Sequence, residues 1–158
     1  MNQSLEIRKV DLDFGEKHID VLVDFQIRLA KETEDFDLEP SKVREGIRRV
    51  LHDDNLGVYY VAIDKKEKIY GMLLTIKEWS DWRCAHVLWI HSLYVIRNER
   101  RLGIFKGFYQ FLQDRVHSEP ELAGIRLYVD KSNTQAIQVY RSMQMDDSHY
   151  KLFEWLKA

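Results

Sequence analysis

The chain has 158 residues, and its 24 basic residues nearly balance 26 acidic ones, for a formal net charge of -2. This balance argues against generic binding to nucleic acid or to an anionic membrane, so any site for a polyanion must be local. No apolar stretch approaches the roughly 20 residues that cross a bilayer. The length and the 45% of apolar residues predict one domain over residues 1–158. The single cysteine, Cys84, excludes an internal disulfide and fits a reducing, cytoplasmic setting.

The N-terminal part of the chain predicts one strand and two helices. Apolar and polar residues alternate over Leu5–Leu12, as they do in a strand. Gly15 then acts as a breaker before a helix over about residues 16–31, in which apolar residues recur at helical spacing. An acidic loop, ETEDFDLEP, leads to Pro40, which is well placed in the first turn of a second helix ending at HDDNLG.

The rest of the chain predicts five strands and two helices. Strands are predicted at Val58–Asp64, Ile69–Trp79, Ala85–Ile96, Gly124–Asp130 and SHYKLFEWL (148–156). One helix starts near Ile104 and ends before Pro120, and another, capped by Ser132 or Asn133, extends to Met143. The resulting order, β-α-α-β-β-β-α-β-α-β, predicts an α/β fold with a mixed central sheet and helices on both faces.

A basic strand-to-helix junction, RNERRLGIFKG (97–107), has the features of a phosphate-binding turn. A helix N-terminus carries unpaired N–H groups and the positive end of the helix dipole, so it attracts anions. Gly103 would let the backbone approach a phosphate closely, and Arg100, Arg101 and Lys106 add positive charge. From these residues alone, both a pyrophosphate site and a solvated basic turn remain open.

The junction resembles the acetyl-CoA motif of the GNAT N-acetyltransferases, Arg/Gln-x-x-Gly-x-Gly/Ala, which falls here on Arg100, Gly103 and Phe105. About thirty residues later, a strand and helix resemble the second motif of that family, Asn-x-x-Ala-x-x-x-Tyr, from Asn133 to Tyr140. The predicted order of elements is also similar to the GNAT fold over essentially the whole chain. Two motifs in the right order are more specific than either alone.

The resemblance implies an N-acetyltransferase that uses acetyl-CoA as co-substrate, needs no metal, and acts by direct attack of an amine on the thioester. The acceptor would be the amine of a small molecule or of a peptide. The residues implied to bind acetyl-CoA are Leu93, Tyr94, Val95, Arg100, Arg101, Leu102, Gly103, Ile104, Phe105, Lys106, Asn133 and Tyr140. Phe105 replaces the second small residue of the motif and would offer only its amide, with its ring turned into the core. A ring in the cofactor groove would instead favour a GNAT-fold sensor or interaction module that binds acyl-CoA without turnover.

The resemblance also implies that Tyr140 protonates the leaving thiolate, a role that its ordinary pKa of about 10 permits. A core aromatic residue is the alternative interpretation of Tyr140. His91 is a candidate general base, because Trp89, His91 and Leu93 are predicted to share one face of a strand and an imidazole can accept the amine proton. Glu78 and a chain of water molecules are the other candidates for this role.

The acidic loop and the segment EWSDW are the predicted acceptor site, with Glu32, Glu34, Trp79 and Trp82 as its residues. Carboxylates and aromatic rings suit a cationic amine, although an acidic loop is also common as plain solvated surface. The aromatic residues of HYKLFEWL suit a homodimer contact or a final strand equally well. A nucleic-acid-binding domain that uses the arginine cluster is disfavoured by the near-neutral charge.

Overall fold

In a computed structural model that describes residues 5–157, the chain divides into a larger unit ending at Tyr128 and a smaller unit beginning at Val129. The prediction of a single domain over residues 1–158 stays a prediction. The strands are β1 (Glu6–Lys9), β2 (Val58–Ile63), β3 (Ile69–Ser80), β4 (Ala85–Val95) and β5 (Leu122–Leu127). The helices are α1 (Leu12–Lys17), α2 (Ile19–Glu34), α3 (Pro40–His52), α4 (Ile104–Ser118) and α5 (Thr134–Ser142).

The five strands form one mixed sheet in the order β1-β2-β3-β4-β5. The first four strands pair antiparallel, and β4 pairs with β5 in parallel. A parallel pair needs a crossover connection, and α4 is that connection. The predicted α/β class with a mixed central sheet is therefore confirmed.

Helices cover both faces of this sheet, as predicted. On one face, Val61 and Met72 are completely buried in a cluster with Leu22 of α2. On the other face, the ring of Tyr60 packs against Phe111 of α4, with 5.1 Å between the ring centroids. Alternate residues of a strand point to opposite faces, so each strand contributes to both apolar layers. Burial of each large apolar side chain contributes about 1.5–3 kcal/mol.

The single helix predicted over residues 16–31 is wrong, because two helices, α1 and α2, meet there at His18. Gly15 does not break a helix but lies inside α1. A Cβ atom at this position would lie 2.6 Å from Cδ1 of Leu51 in α3. The glycine therefore allows two helices to approach closely, a long-range requirement that local helical periodicity does not reveal.

The predicted last strand, SHYKLFEWL, is also wrong: residues 148–157 have no regular secondary structure. The side chains of Phe153 and Trp155 are 90% and 87% exposed. A strand forms only where its backbone finds a partner, and an apolar, aromatic pattern does not say whether that partner is present. The predicted homodimer contact of this segment stays a prediction.

Replacing Gly71 by alanine should destabilise the larger unit. A Cβ atom on Gly71 of β3 would lie 2.8 Å from the carbonyl oxygen of Tyr94 on β4 and 3.4 Å from the ring of Phe108. Because backbone must shift to relieve this contact, we expect Gly71→Ala to reduce the free energy of unfolding by about 1–3 kcal/mol in urea denaturation. Gly124→Ala is the matched control, since no atom lies within 4 Å of its new Cβ atom. A Gly71→Ala protein as stable as wild type would contradict this packing.

Candidate active site

The second half of β4 has a free edge where β5 stops pairing with it. Within the described part of the chain, β5 pairs with β4 only from His86 to Ile90, whereas β3 stays paired with β4 as far as Val95. The backbone N–H of Ile96 donates to the carbonyl of Tyr70 on β3. Because bonded residues alternate along an antiparallel pair, Leu93 and Val95 direct their N–H and C=O groups away from β3, toward the free edge. This edge offers hydrogen bonds to an extended ligand.

A β-bulge at His91 reverses the face of the sheet to which the later side chains of β4 point, at the position where the free edge begins. Two consecutive residues of β3 pair with residues of β4 that are two apart: Thr75 with Ile90, and Leu74 with Ser92. His91 is the extra residue, and side chains beyond it change face. Trp89 and Leu93 therefore lie on opposite faces, and the prediction that Trp89, His91 and Leu93 share one face is wrong. Alternation alone could not reveal an inserted residue.

His91 is an exposed residue of β4, and its imidazole has a lowered pKa. Its Nδ1 atom lies 3.2 Å from Oγ of Ser92. Burial lowers the pKa of His91 below its usual value, because neighbouring protein atoms displace water from the ring while part of the residue remains exposed. A neutral imidazole beside the free edge can accept a proton near pH 7.

Glu78 has a different environment, in which both carboxylate oxygens are engaged. Nε1 of Trp89 donates to Oε2 of Glu78, and Nη1 of Arg126 donates to Oε1 at 3.0 Å. These contacts link the three neighbouring strands β3, β4 and β5. Glu78 pairs with Val87, where β5 is still paired with β4, whereas His91 lies just beyond the last pair at Ile90, so position favours His91 over Glu78 as the base.

The junction after β4 presents the N-terminus of α4 without a side-chain cap. Gly103 precedes the helix with φ of 84°, in the left-handed region that favours glycine. No atom lies within 4 Å of a Cβ built on it, so space there is open. The first helical hydrogen bond runs from Gly107 N–H to the carbonyl of Gly103. The N–H groups of residues 104–106 therefore precede the helical ladder, the first turn has no acidic residue, and Lys106 adds positive charge.

The ring of Phe105 packs along α4. It stacks on the ring of Tyr109 one turn later, with 6.3 Å between centroids and 24° between planes. Phe105 is half-buried, and Tyr109 is buried. The amide of Phe105 remains among the first-turn N–H groups, so the larger side chain does not remove the backbone donor that the junction provides.

Arg100 turns back toward α2. Its Nη2 atom donates to Oε2 of Glu32 at 2.6 Å, and its Nε atom donates to the carbonyl of Val95 at 3.0 Å. The hydroxyl of Tyr94 donates to Oε1 of Glu32 at 3.3 Å. Arg101 and Lys106, together with the exposed Leu102, face the solvent around the junction, whereas Ile104 is buried. The charge available to an external anion is thus that of Arg101 and Lys106.

The four residues predicted to bind the acceptor do not form one group. Glu32 and Glu34 lie at the end of α2, where Glu32 contacts the end of β4 and Glu34 is exposed. Trp79 is half exposed on β3, and Trp82 is 90% exposed in the turn that follows. Gly71 pairs with the end of β4, and Trp79 is eight residues further along β3, which is about 26 Å. The sequence could not show that the two pairs lie at opposite ends of a long hairpin.

The smaller unit holds the two remaining predicted residues. Asn133 is the N-cap of α5, and its Oδ1 accepts a hydrogen bond from the N–H of Ala136 at 3.1 Å. Tyr140 lies on α5 and is half-buried. Burial raises the pKa of Tyr140 above its usual value, so its hydroxyl keeps its proton at neutral pH.

A groove of about 520 Å³ lies over the sheet near the other end of the β3–β4 hairpin. Its walls include Lys9 and Arg115, but both cations are already paired: Lys9 with Asp54 and Arg115 with Glu119, each at 2.6 Å. Lys77 also lines the groove, and its Nζ lies 3.9 Å from Oε1 of Glu121, so within the described residues each lysine and arginine of this lining has a carboxylate partner. The groove is therefore a weaker candidate than the junction for a phosphate-bearing ligand.

Residues 5–157 contain no helix long and apolar enough to cross a membrane. Over the same residues, no group of three or more His, Cys, Asp or Glu side chains is placed to hold a metal ion. The free cysteine, Cys84, is exposed.

The junction and the free edge lie within a segment that matches a known family. The model of the acetyltransferase (GNAT) family matches residues 24–144. A solved structure of a possible acetyltransferase from Clostridium difficile 630 is similar to this chain, with 32% identity, a TM-score of 0.88 and 98% of each chain covered. No curated protein matches.

Two more distant structures share the fold. One is the aminoglycoside acetyltransferase meta-AAC0020 from an uncultured soil metagenomic sample in complex with sisomicin, with 21% identity, a TM-score of 0.72 and 97% of each chain covered. The other is the aminoglycoside N-acetyltransferase AAC(6')-Iy in complex with CoA, with 12% identity, a TM-score of 0.77, and 100% of this chain and 98% of that one covered.

His91 should titrate below the ordinary histidine pKa of about 6.5. NMR can follow its ring Cε1–H signal against pH, assigned by its disappearance in His91→Asn. Because the pKa is lower in the folded state, the unfolded chain takes up this proton first, and folding loses stability as pH falls through about 6.5 toward the folded pKa. A His91 signal that titrates at or above 6.5 would contradict the partly dehydrated environment.

Proposed function

Because the chain belongs to the GNAT acetyltransferase family, we propose that it transfers the acetyl group of acetyl-CoA to the amine of a small, cationic acceptor. One observation carries this proposal: the free edge of β4 is followed, across the junction 97–103, by a helix N-terminus that is open to an anion. An extended chain that ends in a diphosphate has the shape and charge that suit this combination.

The residues present fit acetyl-CoA. Leu93 offers backbone N–H and C=O groups along the free edge to the extended pantetheine arm. The N–H groups of residues 104–106, with Arg101 and Lys106, suit the diphosphate. The acetyl thioester supplies an electrophilic carbonyl and a thiolate leaving group when the co-substrate is bound. We assign Asn133 to cofactor binding on the motif alone.

His91 and Tyr140 are the proposed base and acid. His91 accepts the proton that the amine nitrogen gives up as it bonds to the carbonyl carbon, and Tyr140 gives its proton to the sulfur as the carbon–sulfur bond breaks. The lowered pKa of His91 and the raised pKa of Tyr140 leave each in the protonation state that its role needs at neutral pH. Proton exchange with solvent then returns His91 to its neutral form and Tyr140 to its protonated form. The role of Tyr140 rests on the sequence motif.

A cationic acceptor is supported by the acidic end of α2 and by the fold relatives. Glu34 is exposed there, two residues after Glu32, the residue of α2 that accepts a hydrogen bond from Tyr94 of β4. Two structures of the same fold are of aminoglycoside acetyltransferases, one with sisomicin bound. We therefore propose polyamines and aminoglycosides as the first compounds to test, with peptide N-termini and amino acids as alternatives.

Release of free CoA thiol from acetyl-CoA over a panel of these amines tests the function. We expect at least one amine to accelerate release over the rate without amine. Calorimetric binding of CoA without release for any amine would instead support an acyl-CoA sensor or interaction module. Failure to bind CoA at all would contradict both.

Replacing Tyr140 by phenylalanine separates acid catalysis from binding. We expect Tyr140→Phe to lower turnover about 100-fold, within the usual contribution of a general acid, and to leave the Kd for CoA unchanged. Tyr150→Phe is the control, because Tyr150 is 81% exposed in the same unit. Unchanged turnover in Tyr140→Phe would show that Tyr140 is not the acid.

A further inference from the structure

Glu32 connects three parts of the larger unit through one carboxylate. It lies in the last turn of α2, and its side chain is 24% exposed. Its Oε2 accepts a hydrogen bond from Nη2 of Arg100 at 2.6 Å and lies 3.8 Å from Nη2 of Arg97. Its Oε1 accepts the hydroxyl of Tyr94 at 3.3 Å. α2, the end of β4 and the junction 97–103 therefore meet at this side chain.

Arg100 links Glu32 to the free edge of β4. While its Nη2 holds Glu32, its Nε donates to the carbonyl of Val95, which faces the free edge of β4. The guanidinium also lies 5.5 Å from the ring centroid of Tyr94. Arg100 thus occupies the carbonyl of Val95, at the end of the free edge, and the backbone groups of Leu93 stay available to a ligand.

The junction itself needs an external restraint. Arg101 has φ of 68° and Gly103 has φ of 84°, and the left-handed region is unfavourable for a residue with a Cβ atom such as Arg101. Leu102 between them is 70% exposed, so the turn makes little apolar contact there. A strained turn persists only where its surroundings fix it, and the bonds from Arg100 to Glu32 and to the carbonyl of Val95 are side-chain contacts that tie this one to α2 and β4.

The carboxylate of Glu32 stays charged under ordinary conditions. Burial alone would raise its pKa, but the hydrogen bond and charge of Arg100, together with Arg97 and the hydroxyl of Tyr94, lower the pKa below its usual value. The contact with Arg100 is therefore a charge-assisted hydrogen bond at neutral pH, the stronger kind in proteins.

We propose that Glu32 is a positioning residue for acetyl-CoA: by holding Arg100, it fixes the junction so that the N–H groups at the start of α4 face the diphosphate. The inference rests on the proposed function, and it assigns Glu32 to cofactor binding rather than to acceptor recognition. Without Glu32 the junction adopts its binding-competent form for a smaller fraction of the time, and the Kd for CoA rises in proportion.

Calorimetric titration of CoA into Glu32→Gln tests the proposal. We expect a Kd about 10-fold higher than in wild type, as for a site competent about a tenth of the time. In steady-state kinetics, this loss of affinity should raise KM for acetyl-CoA rather than lower kcat, because Glu32 and Arg100 act on cofactor binding. Glu119→Gln is the matched control: Glu119 is also partly buried and holds Arg115 at 2.6 Å, away from the junction.

A second variant tests Arg100 itself. Arg100→Lys keeps the positive charge but replaces the two separate donors, Nε and Nη2, by one nitrogen on a flexible chain, so it should weaken CoA binding similarly. The double variant Glu32→Gln/Arg100→Lys should lose no more affinity than either single variant, because the two residues act as one unit. Should Glu32→Gln fail to fold, Arg100→Lys provides the same test.

Two outcomes would overturn the proposal while leaving the proposed function intact. One is wild-type CoA affinity in both Glu32→Gln and Arg100→Lys. The other is a KM raised for the amine alone, which would make Glu32 an acceptor residue. Wild-type protein that binds no CoA would instead overturn the proposed function on which the inference rests.

Discussion

The backbone pairing of β4 is the constraint on which the rest of the site depends. Its edge toward β3 is paired to the end of the strand, whereas its edge toward β5 is paired only as far as Ile90. Buried N–H and C=O groups need partners, so a strand that loses its neighbour midway must offer those groups to something else. The bulge at His91 begins where the pairing with β5 ends. An imidazole and an open strand edge thus lie next to each other at one irregularity of the sheet.

The other part of the proposed site is the start of α4, where the attraction for an anion is electrostatic and local. A chain with a net charge of -2 has no general attraction for anions, but the start of α4 combines unpaired N–H groups, a left-handed glycine and basic side chains. The arginines of this junction make different contributions. Arg100 is directed to Glu32 and Val95, and its contribution is to shape rather than to charge.

Much of the fold could be predicted because its signals are local. Pro40 begins α3 and Asn133 caps α5, as their sequence contexts predict. The errors concern contacts between distant residues. Gly15 is a glycine because α3 approaches it, and the C-terminal aromatic residues form no strand among the described residues because pattern alone supplies no partner. The bond between Glu32 and Arg100 spans 68 positions, so nothing in the neighbourhood of Glu32 could predict it.

Amide hydrogen exchange with and without CoA tests whether the free edge of β4 binds the cofactor, since alternate residues of β4 should respond differently. The N–H groups of Leu93 and Val95 face the free edge, whereas that of Tyr94 is already bonded to β3. We predict that CoA slows exchange at Leu93 and in residues 104–106 and leaves Tyr94 unchanged. Protection confined to the groove near Lys9 and Arg115, with none at Leu93 or the start of α4, would contradict it.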